Sequence, residues 1–261
     1  MESTAPLANS PSQSHASKAS GVTRRHRCLR WAIAITLWVL GLILLGVASV
    51  LVHSHPGPWP FELAFTRTVQ SQLFWTWLSP AIDFFGTFNN PTPSGIAIGF
   101  VFTAILLMGW YRQAIFLALA VGIGDYIDTL IGDYVARLRP SPALVRVDVV
   151  LKYNSFPSGH CCHVVLFYGF LLFLSFTRPV RRWHYHRVLI PLQVFAALNI
   201  LLIGFSRVYE GEHWATDILG GYLSGALWLA LFIFLYQWTT HILEERRARR
   251  LAVKPMQVQQ A

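Results

Sequence analysis

The chain has 261 residues, 54% of them apolar and only 13% charged, with a net charge of +9. Soluble domains carry about 25% charged residues, and the apolar residues here fall in long unbroken runs, which excludes an ordinary water-soluble globule. The positive charge is clustered beside those runs rather than striped along a soluble module, which argues against a nucleic-acid-binding protein.

Met1 to about Val22 is rich in Ser, Ala, Pro and Gln, so residues 1–22 are expected to form a disordered tail. The first run, Trp31–Val52, has no charged residue. It starts too late, is too long and lacks the cleavage site of a signal peptide, so it predicts a retained span. The segment His53–Asn90 mixes Phe61, Phe65, Phe74, Trp75 and Trp77 with polar residues and predicts one or two helices lying in the membrane interface. An Asn-Asn-Pro-Thr-Pro turn at Asn89–Pro93 then opens the run Pro93–Tyr111.

Further runs follow at Gln113–Gly124, which continues through Asp125, Asp128 and Asp133, and at His160–Thr177, Val188–Ser206 and Ile218–Trp238. A helix needs about 20 residues to cross the hydrocarbon core. The prediction is an all-α polytopic membrane bundle of about six spans over residues 23–240, followed by a basic tail at 241–261. If the spans alternate, Arg24, Arg25, Arg27, Arg112, Arg178, Arg181, Arg182, Arg187 and the Arg246–Arg250 cluster share one side. By the positive-inside rule that side, with both termini, is cytoplasmic. Cys28, Cys161 and Cys162 form no disulfide framework; Cys161 and Cys162 are read as small helix-packing residues.

Three short segments fall at the outer ends of the later spans: Arg139-Pro140, Pro157-Ser158-Gly159-His160, and Ser206-Arg207 followed by His213 and Asp217. Together they suit an anionic tetrahedral group. Arginine offers a planar fork of donors that matches phosphate oxygens. A helix start at Ser158 and Gly159 offers free N–H groups and a positive dipole end. His213 and Asp217 are four apart and on one helix would share a face. The carboxylate would then hold one ring nitrogen protonated and leave the other as nucleophile or base. His160 is positioned to act as general acid. Asp133 is expected to pair with Arg137, one helical turn on.

These residues resemble the type 2 phosphatidic acid phosphatase family, whose core is shared with vanadium-dependent haloperoxidases. The family motifs are Lys-x6-Arg-Pro, Pro-Ser-Gly-His and Ser-Arg-x5-His-x3-Asp. The second is complete at Pro157–His160 and the third at Ser206–Asp217; the first keeps Arg139-Pro140 but has Gly132 in place of lysine. The resemblance covers roughly Leu78 to Tyr236. It implies a lipid-phosphate or polyprenyl-diphosphate hydrolase that needs no metal or other cofactor, with its site on the extracytoplasmic face of the cell membrane. It further implies that His213 attacks phosphorus, Asp217 orients it, and His160 protonates the leaving group. Arg139, Arg207, Ser158 and the N–H of Gly159 would hold the phosphate oxygens. Lys152, in the loop before Pro157, is a candidate replacement for the missing lysine, with Arg137 and Arg146 as alternatives. A lipid phosphotransferase, and a non-catalytic lipid-phosphate binder or transporter, are the alternatives; Gly132 favours the latter.

Overall fold

The structure, a computed structural model, describes residues 11–71 and 77–258. Among them every regular element is a helix: α1 (Pro11–Ser54), α2 (Pro60–Ser71), α3 (Ser79–Phe88), α4 (Pro91–Leu107), α5 (Tyr111–Val135), α6 (Gly159–Ser175), α7 (Arg178–Arg181), α8 (Ile190–Tyr209) and α9 (Ala215–Val258), with a short 3-10 turn at His186–Leu189. The all-α membrane bundle predicted from the apolar runs is what the chain forms.

Of the tail expected to be disordered, residues 1–10 lie outside the described residues. Residues 11–22 are helical and begin α1, because the helix nucleated by the apolar run propagates through Ala, Ser, Gln and Lys at little cost per residue. The basic C-terminal stretch is likewise helical, as the end of α9, to Val258.

The chain divides into two units, Met1–Leu44 and Leu45–Ala261. The described part of the first is helix, and its Leu29–Leu44 stretch leaves most of its apolar side chains exposed. Exposed leucine and isoleucine all round a helix are stable against acyl chains, which are equally apolar.

In the second unit α6 is the central helix, packed against α5, α8 and α9. Leu117 of α5, Leu166, Phe167 and Phe170 of α6 and Ile203 of α8 are all fully buried there. Between helices in lipid, close packing rather than water exclusion holds the contact, so small residues matter most. α9 supplies them. A Cβ added at Gly221 would lie 2.4 Å from the carbonyl oxygen of Ser158, and one at Gly225 would lie 2.9 Å from that of Cys162. Cys161 and Cys162, both fully buried thiols, fill the facing positions on α6. The start of α6 is thus pressed against the first turns of α9.

Four helical segments are long and apolar enough to cross a membrane: Leu29–Ser54, Tyr111–Val135, His186–Tyr209 and Ala215–Leu251. A fifth arises if α3 and α4, bent by 65°, count as one. By length and composition four or five spans are thus established, and the predicted count of about six is reached only with a further, shorter apolar helix. That helix is α6, which at 17 residues is about 26 Å long, at the short end of what crosses a bilayer; its start is set by the loop before it. The bend between α3 and α4 follows from Pro91 and Pro93. Proline forces the preceding Asn90 into extended backbone, at ψ 156°. Asn89 closes the bend by donating its amide to the carbonyl of Phe85 and to Oδ1 of Asn199, each at 2.7 Å.

The interfacial segment is α2 and α3, with residues 72–76, including Phe74 and Trp75, outside the described residues. α2 is two-faced. Phe61 and Phe65 point outward, whereas Glu62, Thr66 and Val69 are buried against the bundle.

Candidate active site

The C-terminal ends of α5 and α8 and the N-terminal ends of α6 and α9 meet at one end of the bundle. The loops 136–158 and 210–214 close over them. α5 stops because Ala136 turns left-handed, at φ 51°, with its N–H donating to the carbonyl of Gly132 at 2.8 Å. The turn after α8 needs Gly211, whose φ is +72° and where a Cβ would strike the carbonyl of Arg146 at 1.9 Å. That turn carries the chain from Arg207 to His213.

His213 is completely buried. It precedes α9 rather than sharing a helix face with Asp217. Its Nδ1 lies 2.8 Å from the carbonyl oxygen of Ser155, while Asp217 Oδ2 is 3.7 Å away. The Ser155 carbonyl, not the carboxylate, takes the hydrogen. Nε2 lies 3.2 Å from Nη1 of Arg139. A carbonyl only accepts and a guanidinium only donates, so the neighbours fix the tautomer: Nδ1 carries the proton and Nε2 a lone pair. Burial pulls the pKa of His213 down, and the charge of Arg139 pulls the same way; Asp217 opposes but does not outweigh them. The ring is held neutral.

Asp217 is also fully buried. Its Oδ1 accepts from Nη1 of Arg137 at 2.6 Å, and its Oδ2 from the N–H of Trp214 at 2.8 Å and from the hydroxyl of Ser155. Arg137 does not pair with Asp133, which accepts instead from Nδ2 of Asn154 at 3.1 Å. The left-handed turn at Ala136 swings Arg137 inward, where Nη2 meets Glu62 Oε2 of α2 at 2.6 Å. Burial lowers the basicity of Arg137, but Asp217 and Glu62 outweigh it and raise the pKa. Glu62 also accepts from the N–H of Trp59 and from Thr216 at the start of α9. Sequence reasoning missed Glu62 and the Ser155 carbonyl, and it set Arg137 against Asp133 rather than against Asp217 and Glu62. The available signal for Glu62 was a carboxylate inside an aromatic-rich interfacial stretch.

Arg207 is buried and tied to Glu212 Oε2 at 2.6 Å and Glu210 Oε2 at 2.9 Å. Ser158 is buried with its hydroxyl unpartnered, and its N–H donates to the carbonyl of Asp217 at 2.9 Å. His160 faces His213 edge-on, with ring centroids 6.0 Å apart. A cleft of about 480 Å³ opens beside these groups. Arg139, Gly159 and His160 line it, whereas His213, Asp217, Arg207 and Ser158 stand behind its wall. Lys152 is exposed on the loop between α5 and α6 and does not line the cleft. A Cβ at Gly132 would touch the Phe156 carbonyl at 3.5 Å, so that position faces the loop rather than the cleft.

A helical membrane bundle that gathers a buried histidine, arginines and a helix start at one end defines the class: an integral membrane protein with a polar cleft at that end. Residues 113–241 match the PAP2 superfamily, and the chain belongs to that superfamily. It is 29% identical over 143 residues to phosphatidylglycerophosphatase B of Bacillus subtilis, covering 50% of this chain and 65% of the relative. It is 33% identical over 146 residues to lipid phosphate phosphatase delta of Arabidopsis thaliana, covering 51% of this chain and 34% of the relative. The match thus spans less than two thirds of either relative. In fold it is similar to a crystal structure of a transmembrane PAP2-type phosphatidylglycerolphosphate phosphatase from Bacillus subtilis, with a TM-score of 0.63 at 19% identity over 77% of this chain and 96% of that one.

Proposed function

We propose that this chain is a membrane lipid phosphatase that cleaves a phosphomonoester or diphosphate through a phosphohistidine at His213, without a metal. The observation that carries the reading is the Nε2 lone pair of a buried, neutral His213 beside Arg139 at the cleft wall. The names of the relatives, a phosphatidylglycerophosphatase and a lipid phosphate phosphatase, support the substrate class.

In the resting arrangement the guanidinium of Arg139 covers Nε2. A phosphate seated at the start of α6 draws that guanidinium onto its own oxygens and uncovers the lone pair. Nε2 attacks phosphorus, the bond from phosphorus to the leaving oxygen breaks, and that oxygen takes a proton from His160. His160 then takes a proton from water, whose oxygen displaces Nε2 and releases phosphate. Arg139, the N–H of Gly159 and, behind them, Arg207 and Ser158 stabilise the charge on the equatorial oxygens. Asp217, fixed by Arg137 and Ser155, supports the imidazolium character that develops at His213. The distribution of basic residues supports a cleft on the extracytoplasmic face, with both termini in the cytoplasm.

The test is to mix purified protein with a lipid phosphate labelled on phosphorus and quench it within a turnover. A protein-bound label that is labile to acid and stable to base, and absent from His213→Ala, is the expected result. Phosphate release with no such label, or release that requires an added divalent cation, counts against the mechanism.

A further inference from the structure

Glu62 reaches the wall behind the cleft from α2, outside the residues 113–241 that match the superfamily. It is completely buried, and the phosphoryl-transfer scheme gives it no part. Its carboxylate accepts at both oxygens. Oε2 takes hydrogen bonds from Nη2 of Arg137 at 2.6 Å and from the N–H of Trp59 at 2.9 Å. Oε1 takes them from the N–H of Thr216 at 3.1 Å and from the Thr216 hydroxyl. That hydroxyl accepts in turn from Nη1 of Arg137 at 2.7 Å. Two further side chains hold α2 in place: Arg67 donates to the carbonyl of Leu144 at 3.0 Å, and Gln70 to that of Arg146 at 2.8 Å. The interfacial helix is thus built onto the loop that carries Arg137 and Arg139.

The charges of this cluster do not cancel. Arg137 lies between two carboxylates, 2.6 Å from each, so the three side chains together carry one net negative charge. The proposed reaction creates a positive charge beside it. At rest the ring of His213 is neutral, with its Nδ1 hydrogen on the Ser155 carbonyl. When Nε2 bonds to phosphorus and the bond to the leaving oxygen breaks, Nδ1 keeps its hydrogen and the ring becomes a cation. Arg139, 3.2 Å from Nε2, cannot offset a cation. Asp217 can, because its Oδ2 lies 3.7 Å from Nδ1. With Arg137 alone on its other oxygen, however, Asp217 would belong to a neutral pair, and a neutral pair offsets a buried cation poorly. Glu62 takes up the charge of Arg137.

Resting on the phosphohistidine reading, we infer that Glu62 is a positioning residue: by balancing Arg137 it leaves the charge of Asp217 to offset the imidazolium that forms at His213. A residue needed only for packing depends on shape, whereas one that acts through charge depends on charge. Glutamine keeps the shape of Glu62 and loses its charge; aspartate keeps the charge on a shorter arm. Changing Glu62 and Arg137 together to glutamine removes one charge of each sign. It leaves the single negative charge of Asp217, the same net charge as the native cluster.

The experiment times phosphohistidine formation in a single turnover of the full-length protein in detergent, with a lipid phosphate labelled on phosphorus, and follows kcat/KM against pH. Glu62→Gln should slow formation by about tenfold or more with KM nearly constant, as loss of transition-state stabilisation does. Glu62→Asp should lose less than Glu62→Gln. The double variant, Glu62→Gln with Arg137→Gln, should be faster than Glu62→Gln alone, which is the mark of coupling through charge. The acid limb gives a second reading. Arg139 from the loop after α5, Glu212 from the turn after α8 and Asp217 from α9 act on His213 directly, and His160 of α6 faces it; all four are kept. Loss of a negative charge disfavours protonated His213, so the limb should move to lower pH in Glu62→Gln and return in the double variant. A double variant slower than Glu62→Gln, a Glu62→Asp no faster than it, or an unmoved limb overturns the inference and leaves the phosphatase reading standing. If Glu62→Gln does not fold, the double variant is read against the native protein: formation within about thirtyfold of native supports the inference, and a larger loss overturns it. If the native protein forms no phosphohistidine, the mechanism proposed above fails. The titration of His213, read from its ring nitrogen shifts, then tests the charge coupling separately, and equal values in the native protein and Glu62→Gln overturn it.

Discussion

The rim of the cleft and the wall behind it use arginine in opposite ways. In the wall, Arg137 is clamped between Glu62 and Asp217, and Arg207 between Glu210 and Glu212. Their charges are neutralised by carboxylates within the protein. At the rim, Arg139 donates to the carbonyls of Tyr153, Glu212 and Asn154 and to the ring of His213, all neutral acceptors. An arginine held by carbonyls keeps its charge for an incoming anion; one held by two carboxylates is structural first. The same side chain, two residues apart in sequence at 137 and 139, thus serves rigidity in one place and recognition in the other.

That contrast can be broken in steps of decreasing size. The largest effect is expected at His213 itself: His213→Ala should lower kcat by about 10⁴-fold or more, because no neighbouring group replaces its lone pair, and should lower the melting temperature as well, because it empties a buried site and strands the Ser155 carbonyl. Stopped assays with lipid phosphate in detergent, beside a melting curve, check both halves.

Next come the two neighbouring arginines, which should fail differently. Arg139→Ala is expected to cut turnover by about 10²–10³-fold while the melting temperature stays nearly constant, since it removes transition-state stabilisation. Arg137→Ala is expected to cost about 3–5 kcal/mol of stability, because it strands Glu62 and Asp217 as buried, unpaired charges. If the two variants lose stability equally, the division between rim and wall is wrong.

A smaller, sharper test uses pH. His213 titrates below the ordinary value of 6.5, through burial first and Arg139 second. Protonation removes the lone pair, so kcat/KM should hold as pH falls through 6.5 and drop only below it. In Arg139→Lys the cation is retained and the limb should stay low. In Arg139→Ala part of the depression goes and the limb should move up toward 6.5. The smallest effect is expected at Lys152, exposed and off the cleft: Lys152→Ala should change turnover by less than about twofold.

Much of this was readable in the chain beforehand, and the reasons are local. The apolar runs gave the helices because span length is fixed by bilayer thickness. Pro157–His160 forms one helix start and Ser206–Asp217 one short helix–loop–helix corner, so the residues of each stay near one another in sequence and in space. What stayed hidden depends on contacts far apart in sequence. Glu62 meets Arg137 across 75 positions, and no periodicity links them. The nearer pairing of Arg137 with Asp133 looked better by helical spacing, but it required α5 to continue past Ala136, where the backbone instead turns left-handed. The Ser155 carbonyl was invisible for another reason: a main-chain acceptor has no signature in residue type. The length of α6 was not legible because hydropathy measures how apolar a run is, not where a loop cuts it short.

One feature of the bundle bears on how a lipid reaches the cleft. α4 turns Ser94, Gly95 and Ile98 toward the cleft and Ile96 and Phe100 outward, the latter 69% and 76% exposed. α4 thus carries cleft-lining residues on one face and exposed apolar residues, suited to acyl chains, on the other. Lifting a hydrocarbon tail into water costs about 0.8 kcal/mol for each methylene, so full extraction of a long chain would swamp any binding energy the headgroup could provide. For the lipid phosphatase proposed above, a wall with those two faces would let the headgroup step sideways into the cleft while its tail stays dissolved where it was, and the product would leave by the same short path.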